Sequence, residues 1–155
     1  MAVGTVLALI VGWALWPRPT PEDAVRATIL AVIDGAERGD VGDVFAPLAE
    51  DFVAVHDESS LPGSVLRPLL TREFLRRGPL TVLPGEISVT LTGTTAHAAF
   101  DAVLVEQGKA WGDFLPADAD SWHVEADLLD DAGTWSVTRV EQTDAPLLTL
   151  PNALP

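Results

Sequence analysis

The chain has 155 residues, of which 23 are acidic and nine basic, so its formal net charge at pH 7 is −14. Such a surface repels phosphate groups, which argues against nucleic acid as a partner and equally against binding of anionic lipid through the body. The sequence contains no cysteine, which excludes disulfides, thiolate catalysis and cysteine-based zinc sites.

An uncharged apolar segment, residues 1–16, precedes a proline-rich linker at 17–20. As a helix it spans about 24 Å, somewhat less than the roughly 30 Å of a bilayer core. Trp13 and Trp16 stand at its end, where their rings suit the headgroup layer. We predict an uncleaved transmembrane anchor; the alternative is a signal peptide cleaved before Leu15. Because such segments usually direct export, we expect the body to be extracytoplasmic (periplasmic) and the protein to be membrane-associated.

The first half of the body is predicted to be mainly helical. Thr20 is a good N-cap and Pro21 suits the first helical position, while apolar residues follow at helical spacing. The same signals predict two further helices, with a short strand between them and a loop over 57–63. The predicted helices cover 21–38, 41–49 and 65–77, and the strand covers 52–55.

From residue 80 the apolar pattern changes to a period of two, which is typical of strands. The alternation is that of an antiparallel sheet with one covered face. Helices followed by a strand meander indicate an α+β domain over 21–143, and the tail 144–155 is expected to be irregular. The predicted strands are 80–84, 86–92, 95–106, 121–129 and 134–142.

Three stretches carry a resemblance to a known family. They are LAEDFV at 48–53, FLRR at 74–77 and GTWSV at 133–137. With the long capped first helix, they resemble the nuclear transport factor 2-like superfamily, which includes ketosteroid isomerases and SnoaL-like proteins. The resemblance covers about residues 20–143 and is closest to uncharacterised bacterial members with an N-terminal apolar segment. It implies a cone of about three helices packed on a curved antiparallel sheet, a cavity between them, and a homodimer.

The same resemblance leaves the activity open, because the superfamily contains isomerases, dehydratases, cyclases, ligand carriers and interaction modules. Its isomerases place a base, often Asp, opposite Tyr or protonated Asp donors, and this chain contains no Tyr. Members that use a His–Asp pair offer only two weak parallels here, His56 with Asp57 and His97 with Asp101. Ordinary polar surface positions explain both pairs better, so we assign no catalytic residue.

Spacing along the strands argues against a catalytic pair in the strand 95–106 and against a metal site in the strand 121–129. His97 and Asp101 share a face but lie about 13 Å apart along one strand, too far for a hydrogen bond. His123, Glu125 and Asp127 also share a face, but successive side chains are about 6.6 Å apart, so a single ion rarely reaches all three. We therefore predict an exposed acidic face, no metal and no cofactor.

Two features are candidates for contact with a ligand or partner. Arg72 and Arg76 are one helical turn apart and could hold one anion, unless they only form a solvated helix face. Trp111 and Phe114 lie in the longest break of the meander, residues 107–120, where a loop could cover a cavity or contact a partner. Alternatively, these aromatic rings pack on their own domain.

The favoured interpretation is a membrane-anchored, non-catalytic module that binds a small apolar or acidic ligand or another protein. The alternative is a SnoaL-like isomerase or hydrolyase that uses a His or carboxylate base inside the cone. An enzyme requires a deep cavity with convergent ionisable groups, whereas a binding module requires an apolar cavity or an external patch.

Overall fold

The computed structural model describes residues 19–56, 58–106 and 120–144. The predicted anchor at 1–16, the candidates Asp57, Trp111 and Phe114, and the tail beyond 144 lie outside the described residues. Among the helices that are described, none combines the length and the apolar character needed to cross a membrane.

Three helices lie within the described ranges, and the first confirms the predicted bounds. Helix α1 is capped by Thr20, whose Oγ1 accepts a hydrogen bond from the Asp23 N–H at 3.2 Å. It ends at Gly39, which has a φ of +66°, a left-handed conformation that glycine adopts readily. The helices are α1 Pro21–Arg38, α2 Val41–Phe45 and α3 Gly63–Arg77.

The strands form one seven-stranded sheet in the order β2-β1-β7-β6-β5-β3, with β4 also paired to β5. Their bounds are β1 Leu48–His56, β2 Ser59–Pro62, β3 Leu80–Pro84, β4 Ser88–Thr92, β5 Thr95–Glu106, β6 Asp120–Asp131 and β7 Thr134–Asp144. The prediction of a wholly antiparallel sheet is wrong at one pair, because β1 runs parallel to β7. These two strands are joined through α3 and the whole meander rather than by a hairpin, so nothing in the connection forces them to be antiparallel.

The region between α2 and α3 also differs from the predicted elements. The helix expected over 41–49 ends at Phe45, and the chain is already in β1 from Leu48. Here the Val137 N–H donates to the Pro47 carbonyl at 3.0 Å, which ties the segment to β7. The predicted loop contains β2, which pairs antiparallel with the second half of β1. Pairing of β1 with distant β7 and with β2 in a tight hairpin thus overrides the local turn signals.

The core lies between helix α1 and the concave face of the sheet. Val25 and Ile29 of α1 are 0% and 5% exposed, and they join a cluster with the inward-facing residues of the strands. Several inward residues are alanines, whose small size lets the helix approach the sheet closely. The buried strand residues are Phe52, Ala96, Ala98, Phe100, Ala102, Ala126, Leu128 and Val137.

Candidate functional site

The concave face of the sheet changes from buried to partly exposed along its length. Ala98 and Ala102 of β5 are buried, but Leu104, two residues further along, is only half-buried. On β6 the order is reversed because the strand is antiparallel: Ala126 is buried, and Val124 is half-buried. Within the described residues, the concave face thus becomes more exposed towards the ends of β5 and β6 that carry Leu104 and Val124, and we call this end the open end.

Strand register brings five side chains together at this end. His56 of β1 pairs with Gln142 of β7, and Gln142 pairs in turn with Val124 of β6. Trp122 is the next inward residue of β6 and is half-buried. We call His56, Leu104, Trp122, Val124 and Gln142 the open-end site.

His56 is held at the rim of the open-end site by the neighbouring strand. Its Nδ1 lies 3.2 Å from the backbone carbonyl oxygen of Gln142. A carbonyl oxygen only accepts, so this contact assigns a hydrogen to Nδ1. His56 comes after Phe52 and Ala54 at alternate positions on the inward face of β1. Phe52 is buried, whereas His56 is exposed.

The concave face is apolar in chemistry. Among the side chains whose burial the structure describes, no polar or charged one is buried. A general acid or base with a pKa shifted by burial would need such a position. The described part of the face thus supplies apolar surface, with polar groups only at its open end.

The outer face of the same sheet carries two cross-strand His–Asp pairs. His97 Nδ1 lies 2.8 Å from Asp127 Oδ1, and His123 Nδ1 lies 2.7 Å from Asp101 Oδ1. His97 and Asp101 therefore belong to different pairs. The sequence signal for this arrangement is a repeated H-x-x-x-D spacing, at 97–101 and 123–127. On antiparallel strands in the observed register, each His faces the Asp of the other motif.

The environment of His123 raises the pKa of its imidazole from the ordinary value. The main cause is the hydrogen bond to Asp101, and a contact of 3.6 Å between His123 Nε2 and Glu125 Oε1 adds to it. These side chains are all well exposed, so solvent screens the pair. Among the described residues, no group of three or more His, Asp or Glu side chains is placed so that it could hold a metal ion.

Two of the remaining candidates, Arg72 and Arg76, lie on helix α3, which supplies no residue of the open-end site. Arg72 and Arg76 are exposed on α3, and Arg76 pairs with Glu73 of the same helix at 3.1 Å. Asp57, Trp111 and Phe114 lie outside the described residues, so their placement stays a prediction.

Comparison with solved structures identifies the architecture. A cystatin-like-fold protein of unknown function from Nostoc punctiforme superimposes with a TM-score of 0.66 at 14% identity, covering 86% of this chain and 99% of its own. An NTF2-like protein of unknown function from Pseudomonas putida gives 0.64 at 19% identity, covering 79% and 84%. A protein of the NTF2-like family from Streptomyces avermitilis, provisionally assigned as a dehydratase, gives 0.68 at 15% identity, covering 82% and 99%.

The chain has the NTF2-like fold. Identities below 20% to these three structures establish the fold alone. No family model matches the sequence, and no curated protein matches it significantly. The predicted cone is thereby confirmed at the level of fold, with a mixed rather than wholly antiparallel sheet.

Within this NTF2-like cone, sequence reasoning missed most of the open-end site. Trp122 and Val124 alternate in sequence with polar residues, which indicates the inward face, but nothing in this spacing shows that burial decreases towards this end of the strand. Gln142 lies at the end of a predicted strand, where a single polar residue gives no signal. His56 was named as a candidate, but its contact with the Gln142 carbonyl depends on the parallel pairing of β1 with β7.

Proposed function

We propose that this protein is a membrane-anchored, non-catalytic module that binds a small apolar ligand at the open-end site. The observation that carries the proposal is the continuous apolar concave face, which reaches half-exposed Trp122 and Val124 without a buried charge in the described residues. Ligand sites of this kind are mostly apolar, with a few polar groups that fix orientation. His56 and Gln142 supply such groups at the rim.

The size of the apolar contribution is set by the area that the ligand removes from water. Burial contributes roughly 25 cal/mol per Å² of apolar surface. A ligand that covers about 150 Å² at the open end would gain about 4 kcal/mol before the entropy of binding is subtracted. A gain of about 4 kcal/mol corresponds to a Kd of about 1 mM, so this surface on its own supports only weak binding, with a Kd in the millimolar range or above.

Membrane attachment is proposed from residues 1–16, which are uncharged and end in Trp13 and Trp16. The described fold begins with Thr20 and Pro21, so the linker of 17–20 would hold the body close to the membrane surface. An extracytoplasmic body and a homodimer belong to the same proposal. Fractionation with intact-mass measurement tests whether the segment is retained, and light scattering of the purified protein tests the dimer.

The binding proposal is tested with the full chain and the neutral apolar dye 1-N-phenylnaphthylamine. Val124→Trp fills the open-end site, whereas Val103→Trp adds the same ring to the outer face of the neighbouring strand, where residue 103 is also half-buried. Dye that associates with residues 1–16 contributes equally to both variants. We expect the fluorescence titration of Val103→Trp to match the wild type and that of Val124→Trp to lose the saturable component. Equal titrations for both variants would contradict the proposal.

An isomerase or hydrolyase remains the second candidate, because His56 stands on the inward face of β1 at the open end. As a base, its imidazole would take a proton from a carbon next to a carbonyl group. This candidate predicts turnover of a β,γ-unsaturated ketone probe by the wild type and its loss in His56→Gln. In the binding proposal no turnover is expected, and His56→Gln changes dye affinity by less than about tenfold.

A further inference from the structure

The solvent-facing side of helix α3 has an unusual composition for a helix on a soluble domain. Exposed helix faces are normally polar, and a helix that is apolar all round is normally buried. At 3.6 residues per turn, one third of the circumference of α3 holds three exposed apolar side chains, a proline and two arginines. In order around the helix they are Leu75, Pro68, Arg72, Val65, Arg76 and Leu69. We call these six residues the α3 face.

The apolar members of the α3 face are well exposed, although the helix is packed on its other side. Leu75 is 85% exposed, and Leu69 and Val65 are 46% and 44% exposed. On the opposite side, Phe74 is buried and Leu66 packs against the core, so the helix is fixed to the domain. The α3 face is therefore an exposed surface on a helix that is packed against the domain core.

Charge separates this helix from the rest of the chain. Four of the nine basic residues and one of the 23 acidic residues lie in α3, so the helix is cationic on an acidic protein. Arg76 is partly neutralised by Glu73, whereas Arg72 has no ion pair within the part of the chain that the structure describes. The net charge of the whole body therefore does not describe this face.

We propose that the α3 face docks on the surface of an anionic phospholipid bilayer. The guanidinium groups would contact lipid phosphates, while Leu69, Leu75 and Val65 enter the boundary between headgroups and acyl chains. The inference rests on the proposed anchor at residues 1–16, which would hold the face near the bilayer at high effective concentration, so a weak contact suffices. The acidic remainder of the body is repelled by the same surface, which favours one orientation.

The test uses the absence of cysteine from the chain, which allows a single label on the full-length protein. An environment-sensitive nitrobenzoxadiazole dye is attached at Leu69→Cys or at the matched control Leu30→Cys, since Leu69 and Leu30 are 46% and 45% exposed, both on helices. The protein is reconstituted in vesicles of phosphatidylcholine alone or with phosphatidylglycerol. We expect a blue shift and quenching by doxyl lipids at position 69 only, and only with phosphatidylglycerol.

The contribution of the two arginine charges is tested by neutralising them, in the double variant Arg72→Gln/Arg76→Gln made in the Leu69→Cys background. Each arginine near an anionic surface is worth about fivefold, so the docking equilibrium should fall about 30-fold. A label at position 69 that stays in water in both vesicles overturns the inference. A blue shift in phosphatidylcholine that grows with protein density assigns the face to a second copy and also overturns it. Chain that fails to float with either vesicle overturns the anchor, and with it the inference.

Discussion

Replacement of Gly35 by Ala tests the close packing of α1 against α2. By helix propensity alone, Ala in place of Gly within a helix stabilises by about 0.5–1 kcal/mol. A Cβ at position 35, however, would lie 2.6 Å from the Val44 nitrogen and 2.8 Å from the Asp43 carbonyl carbon. Both are backbone atoms, so α2 must shift. Overpacking of this kind costs about 1–3 kcal/mol, so the net destabilisation after subtraction of the propensity gain is about 0–2.5 kcal/mol, with a central value of about 1 kcal/mol.

The control is Gly42→Ala, in the exposed first turn of α2. There the nearest atom to a new Cβ is a side-chain oxygen, Asp40 Oδ1 at 3.1 Å, which can move. We expect Gly42→Ala to lie within about 0.5 kcal/mol of the wild type. Urea unfolding of the full chain, followed by circular dichroism under identical conditions, compares the three proteins. Equal stabilisation by both substitutions would refute the packing of the two helices described above.

Two further predictions concern the sheet. The pKa of His123 is higher in the folded than in the unfolded chain, so its pair with Asp101 stabilises the fold fully below the unfolded pKa of about 6.5. This stabilisation is lost as the pH rises through the higher folded pKa. Because solvent screens the pair, its contribution to the free energy of unfolding stays below about 1 kcal/mol. NMR titration should show the His123 pKa falling in Asp101→Asn, and an unchanged pKa would contradict the pairing. Leu128→Ala, at a side chain 2% exposed, should cost about 2–5 kcal/mol in urea unfolding, whereas Leu129→Ala, 42% exposed, should cost under about 0.5. Similar losses for both leucines would show that the inward face is wrongly assigned.

Local chemistry was sufficient to predict both ends of α1, the C-terminal end of α3 and most of the strands. Helix α1 has its full set of signals in sequence, with the Thr20 cap, Pro21 at the first helical position and Gly39 at the end, and its bounds are confirmed. The strand 95–106 is likewise confirmed, because apolar residues occupy every second position from Ala96 to Leu104, a period typical of a strand. These features depend on neighbours within a few residues.

Features that depend on distant pairing were not predictable in the same way. The strand Ser59–Pro62 looks like a loop in sequence; it pairs in a tight hairpin with β1, and the place of β1 in the sheet is set by its pairing with distant β7. The His–Asp pairs require a particular register between β5 and β6, and a slip of one residue would put each His on the other face. The open-end site combines both problems, because Gln142 and His56 meet only through the parallel pair of β1 and β7.

The proposed ligand site is tested most directly by determining which residues of the wild-type protein a small apolar ligand contacts. Methyl NMR of the full chain, titrated with 1-N-phenylnaphthylamine, distinguishes Val124 at the open end from Val103 on the outer face of the same sheet. We predict that the Val124 methyl signals and the Trp122 indole signal shift in a saturable way, while the Val103 signals stay in place. Shifts at Val103 without shifts at Val124 would contradict a ligand site inside the cone.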